Sequence, residues 1–140
     1  MKVKEFMTAS PATCTEDTPL QDIARTMVGR DCGSVPVVGR DLALIGMITD
    51  RDIVVRAIAE GRNPLTLTAR DCMTRPAIWI REDASLDECT DLMEARKIRR
   101  LPVVDASGAL AGIVAQADVA RHASRKDAGE LVRDVSAPGR

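Results

Sequence analysis

The sequence predicts a mixed α/β (α+β) fold built from two pseudo-symmetric β-α-β-β-α units. An internal repeat is the first reason. A shift of 66 residues lays Met7-Thr8 on Met73-Thr74, Leu20 on Leu86, Met27 on Met93, Pro36-Val37-Val38 on Pro102-Val103-Val104, Gly46 on Gly112 and Asp52 on Asp118, with 14 identities over the 46 ungapped positions from 7 to 52. A long period present only twice points to a paired unit with a seam, since a solenoid needs several repeats. The second reason is that each copy carries a capped helix with an apolar stripe. The third is that each helix is followed by two apolar runs, parted by turn residues, and then by a closing helix.

Taken in order, each copy opens on a short helical turn, Val3 to Met7 and Ala69 to Met73, which leads past a proline to a brief extended stretch, Ala12 to Thr15 and Ala77 to Arg81. In the first copy Thr18-Pro19-Leu20-Gln21 reads as an N-cap, a proline at the first helical position and a capping-box glutamine, with Leu20, Ile23, Ala24 and Met27 as the stripe. In the second, Ser85-Leu86-Asp87-Glu88 is the box and Leu86, Cys89 and Met93 the stripe. Strands are predicted at Val35 to Val38 and Leu42 to Ile48, then at Leu101 to Val104 and Ala109 to Val114, where Ser107-Gly108 supplies the turn. The closing helices run from Asp50 to Glu60, with Gly61 as the stop, and from Gln116 to about His122. This divides the chain into repeat 1 at 1–62, a linker at 63–68, repeat 2 at 69–124 and a tail at 125–140. The tail holds Leu131, Val132 and Val135 among charges, so a loosely docked helix and then a frayed terminus are expected.

Composition narrows the function. The chain has 140 residues, enough to bury roughly two thirds of its unfolded surface, and is 45% hydrophobic. Its 20 basic and 21 acidic residues nearly cancel, which argues against nucleic acid or an anionic membrane as a partner. No apolar run spans a bilayer and Met1-Lys2-Val3-Lys4-Glu5 has no signal-peptide pattern, so a cytoplasmic protein is expected. Cys14, Cys32, Cys72 and Cys89 form no CxxC and His122 is the sole histidine, so no metal site is expected. The repeat aligns these thiols with Ile80, Ile98, Phe6 and Ile23, which marks them as core positions in a reducing compartment. Phe6 and Trp79 are the only aromatics, so bases cannot be sandwiched between rings, and Trp79 is assigned to the core in preference to a cleft rim. Without a P-loop, a Gly-x-Ser-x-Gly elbow or His-Glu-x-x-His, no enzyme is expected.

The order of these elements, with a Met-Thr pair ahead of a proline, then Val-Pro-Val-Val or Leu-Pro-Val-Val, then Gly46-Met47-Ile48-Thr49-Asp50-Arg51-Asp52, resembles the cystathionine-β-synthase (CBS) domain. Two in tandem resemble a Bateman module over about residues 3 to 122. The resemblance implies two repeats packed sheet to sheet about a pseudo-twofold axis, with clefts that hold an adenine nucleotide of the AMP, ADP or ATP class. It also implies a homodimer meeting through helices as a flat disc, and a regulatory role toward an effector protein the sequence does not identify.

In the pattern Gly-h-x-Thr/Ser-x-x-Asp (h apolar) the matching residues are Thr49 and Asp52, with Arg51 between them. A carboxylate there can accept both ribose hydroxyls, the threonine hydroxyl adds a polar contact, and free N–H groups at the helix start would suit a phosphate. The same tetrad is also an ordinary capped helix start, and the two roles can coexist. The second copy keeps Asp118 but has Ala115 in place of the hydroxyl, so a weaker half-site is expected there. Arg99 and Arg100 match a position that meets phosphates in some family members, and they equally suit the C-terminal dipole of a helix. The alternatives to a nucleotide sensor are a ligand-free dimeric scaffold, for which Ala115 argues, and a thiol redox sensor, which needs a cysteine outside the core.

Overall fold

The computed structural model describes residues 1–123 and 125–138. In chain order the elements are β1 (Thr8–Ala9), α1 (Leu20–Arg30), β2 (Ser34–Val38), β3 (Leu44–Thr49), α2 (Asp50–Ile53), α3 (Ala69–Cys72), β4 (Ile80–Arg81), α4 (Leu86–Arg96), β5 (Arg100–Val104), β6 (Leu110–Ala115), α5 (Gln116–His122) and α6 (Arg125–Val135). No helix among the described residues is long and apolar enough to cross a membrane. The chain forms two compact units: a continuous one, Pro11–Ala77, and a composite one that joins Met1–Ser10 to Ile78–Arg140.

The compact units therefore cut across the sequence repeats, because the opening segment of each repeat bonds to the body of the other. In the composite unit Val3 N–H donates to Ala84 O at 2.8 Å, Lys4 N–H to Glu82 O at 2.9 Å, and Leu86 N–H to Met1 O at 3.0 Å. In the continuous unit Ala69 N–H donates to Thr18 O at 2.9 Å and Arg70 N–H to Glu16 O at 3.0 Å. The sheets follow suit. The composite unit has the order β1-β6-β5-β4, with Thr8 opposite Ile113 and Ile80 parallel to Val103. In the continuous unit the β2-β3 hairpin is flanked by single bridges, Thr74 to Met47 on one side and Cys14 to Val37 on the other, which reproduces that order in shortened form.

Each sheet backs onto its own core. Leu20, Ile23, Met27, Val35, Val37 and Ile48 bury together in the continuous unit, and Cys89, Met93, Leu101, Val103 and Val114 occupy the equivalent places in the composite one. The tail belongs to that second core. Leu131 and Val135, one turn apart on α6, are fully buried beside Met93 and Val119, so α6 is an integral layer and not the loosely docked helix the sequence suggests. The terminal residues 139 and 140, where fraying is expected, lie outside the described residues.

Several local expectations change. The Ser85 box forms as read, with Glu88 N–H on Ser85 Oγ at 3.0 Å and Ser85 N–H on Glu88 Oε2 at 3.3 Å. Thr18 does not cap α1. Its hydroxyl accepts Thr15 N–H at 2.9 Å, Pro19 takes the cap position, and Leu20 N–H reaches Leu67 O at 3.0 Å. The first closing helix is also irregular: after α2 the backbone widens into a π-helical stretch, Val54–Ile58, with Ala59 N–H on Val54 O at 2.8 Å, before Gly61 stops it at φ 74°. Trp79 is 51% exposed, which corrects its assignment to the core. It stands on the surface just before the two-residue strand β4.

β3 begins at Leu44 and not at Leu42, because Asp41 and Leu42 form a left-handed turn with φ of 54° and 61°. The second copy has Gly108 at the position of Leu42, with φ 86°. A leucine there strains the backbone by about 1 kcal/mol and is half exposed, so Leu42→Gly should stabilise the protein by about that amount. Urea unfolding with an unchanged slope and a raised midpoint is the expected result; a lowered midpoint would show that the leucine side chain outweighs the strain.

Candidate functional site

Each unit presents a strand-to-helix junction at which the sequence places its candidate residues. In the continuous unit β3 ends on Thr49 and α2 begins at Asp50. Asp52 N–H donates to Thr49 Oγ1 at 3.0 Å and Thr49 N–H returns to Asp52 Oδ2 at 3.0 Å, which is a complete capping box. The structural role is therefore real, and it uses only one side of the carboxylate. Asp52 Oδ1 receives a long 3.5 Å contact from Thr74 Oγ1 and stays available as an acceptor. Arg51 is exposed, and its guanidinium makes no hydrogen bond or ion pair among the described residues.

The expected free N–H groups are absent from this junction. Asp50 N–H is taken by Gly33 O at 3.0 Å, Arg51 N–H by Asp50 Oδ1 at 2.8 Å, and Asp52 N–H by Thr49 Oγ1. The first half-site thus offers an oxygen acceptor and a hydroxyl but no backbone cradle for an anion, a correction that follows from the Asp50 side chain folding back over its own helix start.

In the composite unit β6 ends on Ala115 and α5 begins at Gln116. Ala115 N–H donates to Asp118 Oδ2 at 2.8 Å, and the Arg121 guanidinium holds Asp118 Oδ1 at 3.2 Å. Both oxygens of Asp118 are engaged, in contrast to Asp52. Arg99 and Arg100 lie just across: Gln116 N–H donates to Arg99 O at 2.9 Å, so the same backbone link that joins Asp50 to Gly33 joins α5 to the double arginine. Both arginines are exposed. Arg100 Nη1 donates to Arg99 O at 3.1 Å, and the Arg99 guanidinium makes no hydrogen bond or ion pair among the described residues. The six candidates thus fall into two sets by unit, Thr49, Arg51 and Asp52 in one and Arg99, Arg100 and Asp118 in the other.

Two residues at equivalent positions, Arg56 and His122, are not among the six candidates. Arg56 Nη1 donates to the carbonyls of Cys72 and Met73 at 3.1 and 2.6 Å, tying the π-helical stretch to α3. His122, its counterpart in the repeat, lies 5.7 Å from Phe6 between ring centroids, and Phe6 is the counterpart of Cys72. The signal was present in the alignment, since 56 pairs with 122 and 72 with 6, but a cation and an imidazole do not look like equivalents.

The thiols are poor nucleophiles. Cys14, Cys72 and Cys89 are buried, which raises all three thiols: Cys14 to about 11 and Cys89 to about 12, the latter helped by the Asp118 charge. Cys32 is half-buried against the core of the continuous unit. Among the described residues no three His, Cys, Asp or Glu side chains gather where they could hold a metal ion. Two open depressions, one of about 430 Å³ lined by Trp79, Arg81, Asp83 and Glu88 and one of about 360 Å³ lined by Thr13, Thr26 and Arg30, contain none of the six candidates.

Comparison with known proteins agrees with this architecture. The CBS domain family matches the chain twice, at residues 3–58 and 69–125. Hypoxic response protein 1 of Mycobacterium tuberculosis is 34% identical over 135 residues, covering 96% of this chain and 94% of the relative. Its crystal structure, with two coordinated zinc ions, superposes with a TM-score of 0.81 at 35% identity over 89% of this chain and 100% of that one. The structure of CBSX2, a CBS-pair protein of Arabidopsis thaliana, in complex with AMP gives a TM-score of 0.76 at 28% identity over 86% of this chain and 94% of that one. Inosine-5'-monophosphate dehydrogenase of Thermoplasma acidophilum is 30% identical over 136 residues, which is 93% of this chain but only 25% of the enzyme.

Proposed function

Given that the chain belongs to the CBS domain family, as two CBS domains in tandem, we propose that it is a regulatory module that senses an adenine nucleotide or nucleoside and passes its occupancy to a partner protein. The observation that carries this reading is the Asp52 carboxylate, capped on one oxygen and open on the other, beside a threonine hydroxyl at the end of β3. An open carboxylate oxygen next to a hydroxyl suits a ribose diol. The AMP complex of CBSX2 supports the ligand class. The mechanism is a population shift: bound ligand favours one conformation by no more than its affinity difference between states, and the partner reads the surface that results. No catalytic step is assigned, and the dehydrogenase likeness is confined to a quarter of that enzyme. Four free thiols suit action in the cytoplasm.

Calorimetric titration of adenosine into Asp52→Ala and Asp118→Ala tests the reading. Asp52→Ala should lose at least tenfold in affinity and Asp118→Ala less than threefold, because only Asp52 has an oxygen to give. Both variants lose a capping contact worth about 1 kcal/mol and should remain folded by circular dichroism. Equal losses would contradict the asymmetry. A ligand-free dimeric scaffold is the second reading, favoured by Ala115 and by the Arg121 ion pair that already occupies Asp118.

We also infer a homodimer. On the π-helical stretch Val54, Val55 and Ile58 are 52%, 45% and 57% exposed, a cluster of large apolar side chains on one short segment that a second copy of the chain can cover. In the composite unit the equivalent of Ile53, Val119, is fully buried and α6 packs against α5. Val54→Glu should therefore convert a dimer to a monomer at micromolar concentration in sedimentation velocity. A wild-type chain that sediments as a monomer throughout that range would remove the interface.

A further inference from the structure

Positions 33 and 50 are joined by a backbone hydrogen bond, Asp50 N–H to Gly33 O at 3.0 Å, and their equivalents 99 and 116 by the same bond, Gln116 N–H to Arg99 O at 2.9 Å. The chemistry at the two places is opposite. At the first, the Asp50 carboxylate lies over the glycine so closely that a Cβ on Gly33 would sit 3.0 Å from Asp50 Oδ2. Its other oxygen accepts Arg51 N–H at 2.8 Å, which pins the negative charge over the start of α2. At the second, a neutral glutamine stands beside Arg99 and Arg100, and no acid replaces Asp50. Across residues 33, 34 and 49–52 the net charge is one negative; across 99, 100 and 115–118 it is one positive.

We propose that the residue at position 50 and its counterpart at 116 set the charge of the ligand each junction accepts, so that Asp50 turns phosphate away from the Thr49–Asp52 junction and restricts it to the uncharged ribose of a nucleoside, while the Gln116 junction, with its two arginines, admits phosphorylated ligands. This rests on the nucleotide-sensing reading above. A carboxylate held within a few ångströms of an incoming phosphate repels it, and here no backbone N–H remains to offset the repulsion. Gly33 and Ser34 supply no cation in compensation. Asp50 is exposed, so the effect is largest at low ionic strength and is screened by salt.

The test is calorimetry with AMP and adenosine, in about 20 mM salt, on the wild-type chain, Asp50→Asn and Gln116→Glu. The asparagine keeps an acceptor for Arg51 N–H, so α2 keeps its start. Asp50→Asn should raise the affinity for AMP relative to adenosine by about tenfold, and Gln116→Glu should lower that ratio by a similar factor, both effects shrinking at 300 mM salt. An unchanged ratio in both variants overturns the assignment while leaving nucleotide sensing intact. Failure of both ligands to bind any of the three proteins overturns the sensing reading and this proposal with it. Gln116 makes no side-chain hydrogen bond among the described residues, so its variant still decides the matter if Asp50→Asn unfolds.

Discussion

Gly46→Ala and Gly112→Ala are each expected to destabilise the protein by about 3 kcal/mol and to lower its melting temperature by about 8–10 °C. Both glycines lie where the opening segment of the other repeat crosses a strand. A Cβ on Gly46 would stand 2.5 Å from Thr74 O, and one on Gly112 would stand 2.6 Å from Met7 Sδ and 2.7 Å from Thr8 O. Thr74 is held there by reciprocal bonds with Met47, N–H to O at 2.8 and 3.0 Å, so its carbonyl cannot move without losing the bridge that anchors the segment. The methionine at Gly112 can rotate away, but the Thr8 carbonyl cannot. Gly29, exposed on α1 with nothing within 4 Å of its Cβ position, is the control: Gly29→Ala should stabilise by about 1 kcal/mol. Melting curves for the three variants decide it, and a harmless Gly46→Ala would mean that the crossing segment is not fixed to the strand.

A second large effect is expected at alkaline pH. Burial pushes the Cys89 thiol from its ordinary value near 9 up to about 12, and the Cys14 thiol up to about 11. Between these limits the folded state holds protons that the unfolded state has released, so stability falls as pH rises, beginning near pH 9 and continuing to about pH 12 for Cys89. The rise of Cys89 from about 9 to about 12 amounts to about 4 kcal/mol at the end of that window, and to about 2 kcal/mol by pH 10.5. Cys89→Ala should lose some stability at pH 7 through its cavity, yet show an alkaline decline shallower than that of wild type by about 2 kcal/mol between pH 8 and 10.5. Parallel declines in the two proteins would show that the thiol ionises as readily in the fold as in the unfolded chain.

Much of this was legible because local chemistry and tertiary packing agree. The repeat, the two hairpins apart from the turn at Leu42, the Ser85 box and the stripes of Ile23 and Met27 or Cys89 and Met93 are set by residues near one another in sequence, and they appear as read. What escaped depends on distant partners. The Met-Thr segments look like simple lead-ins, yet each pairs with the glycine-bearing strand of the other repeat, and nothing at Thr8 or Thr74 specifies that choice over its own repeat. Thr18 has the residue type of a cap, but its hydroxyl is drawn back to Thr15 while Leu67 satisfies the helix. At the candidate site, the family resemblance singles out Thr49, Asp52, Asp118 and the double arginine, and the structure sets them at or beside the two strand-to-helix junctions. The resemblance did not reveal that Asp50 consumes the helix-start donors or that Arg121 occupies Asp118, since both depend on side-chain conformation.

Binding of an adenine ligand at the Asp52 junction of this CBS pair should show in the melting temperature of the wild-type chain across a panel of AMP, ADP, ATP, adenosine, S-adenosylmethionine, NAD and cyclic dinucleotides. A true ligand at 100 times its dissociation constant adds about 2.7 kcal/mol, which raises the melting temperature by about 8 °C. The expected result is that rise with at least one of AMP, ADP, ATP and adenosine, and, for adenosine, its loss in Asp52→Ala. A melting temperature unmoved by all four at millimolar concentration would contradict it and leave the ligand-free scaffold as the better description of the protein.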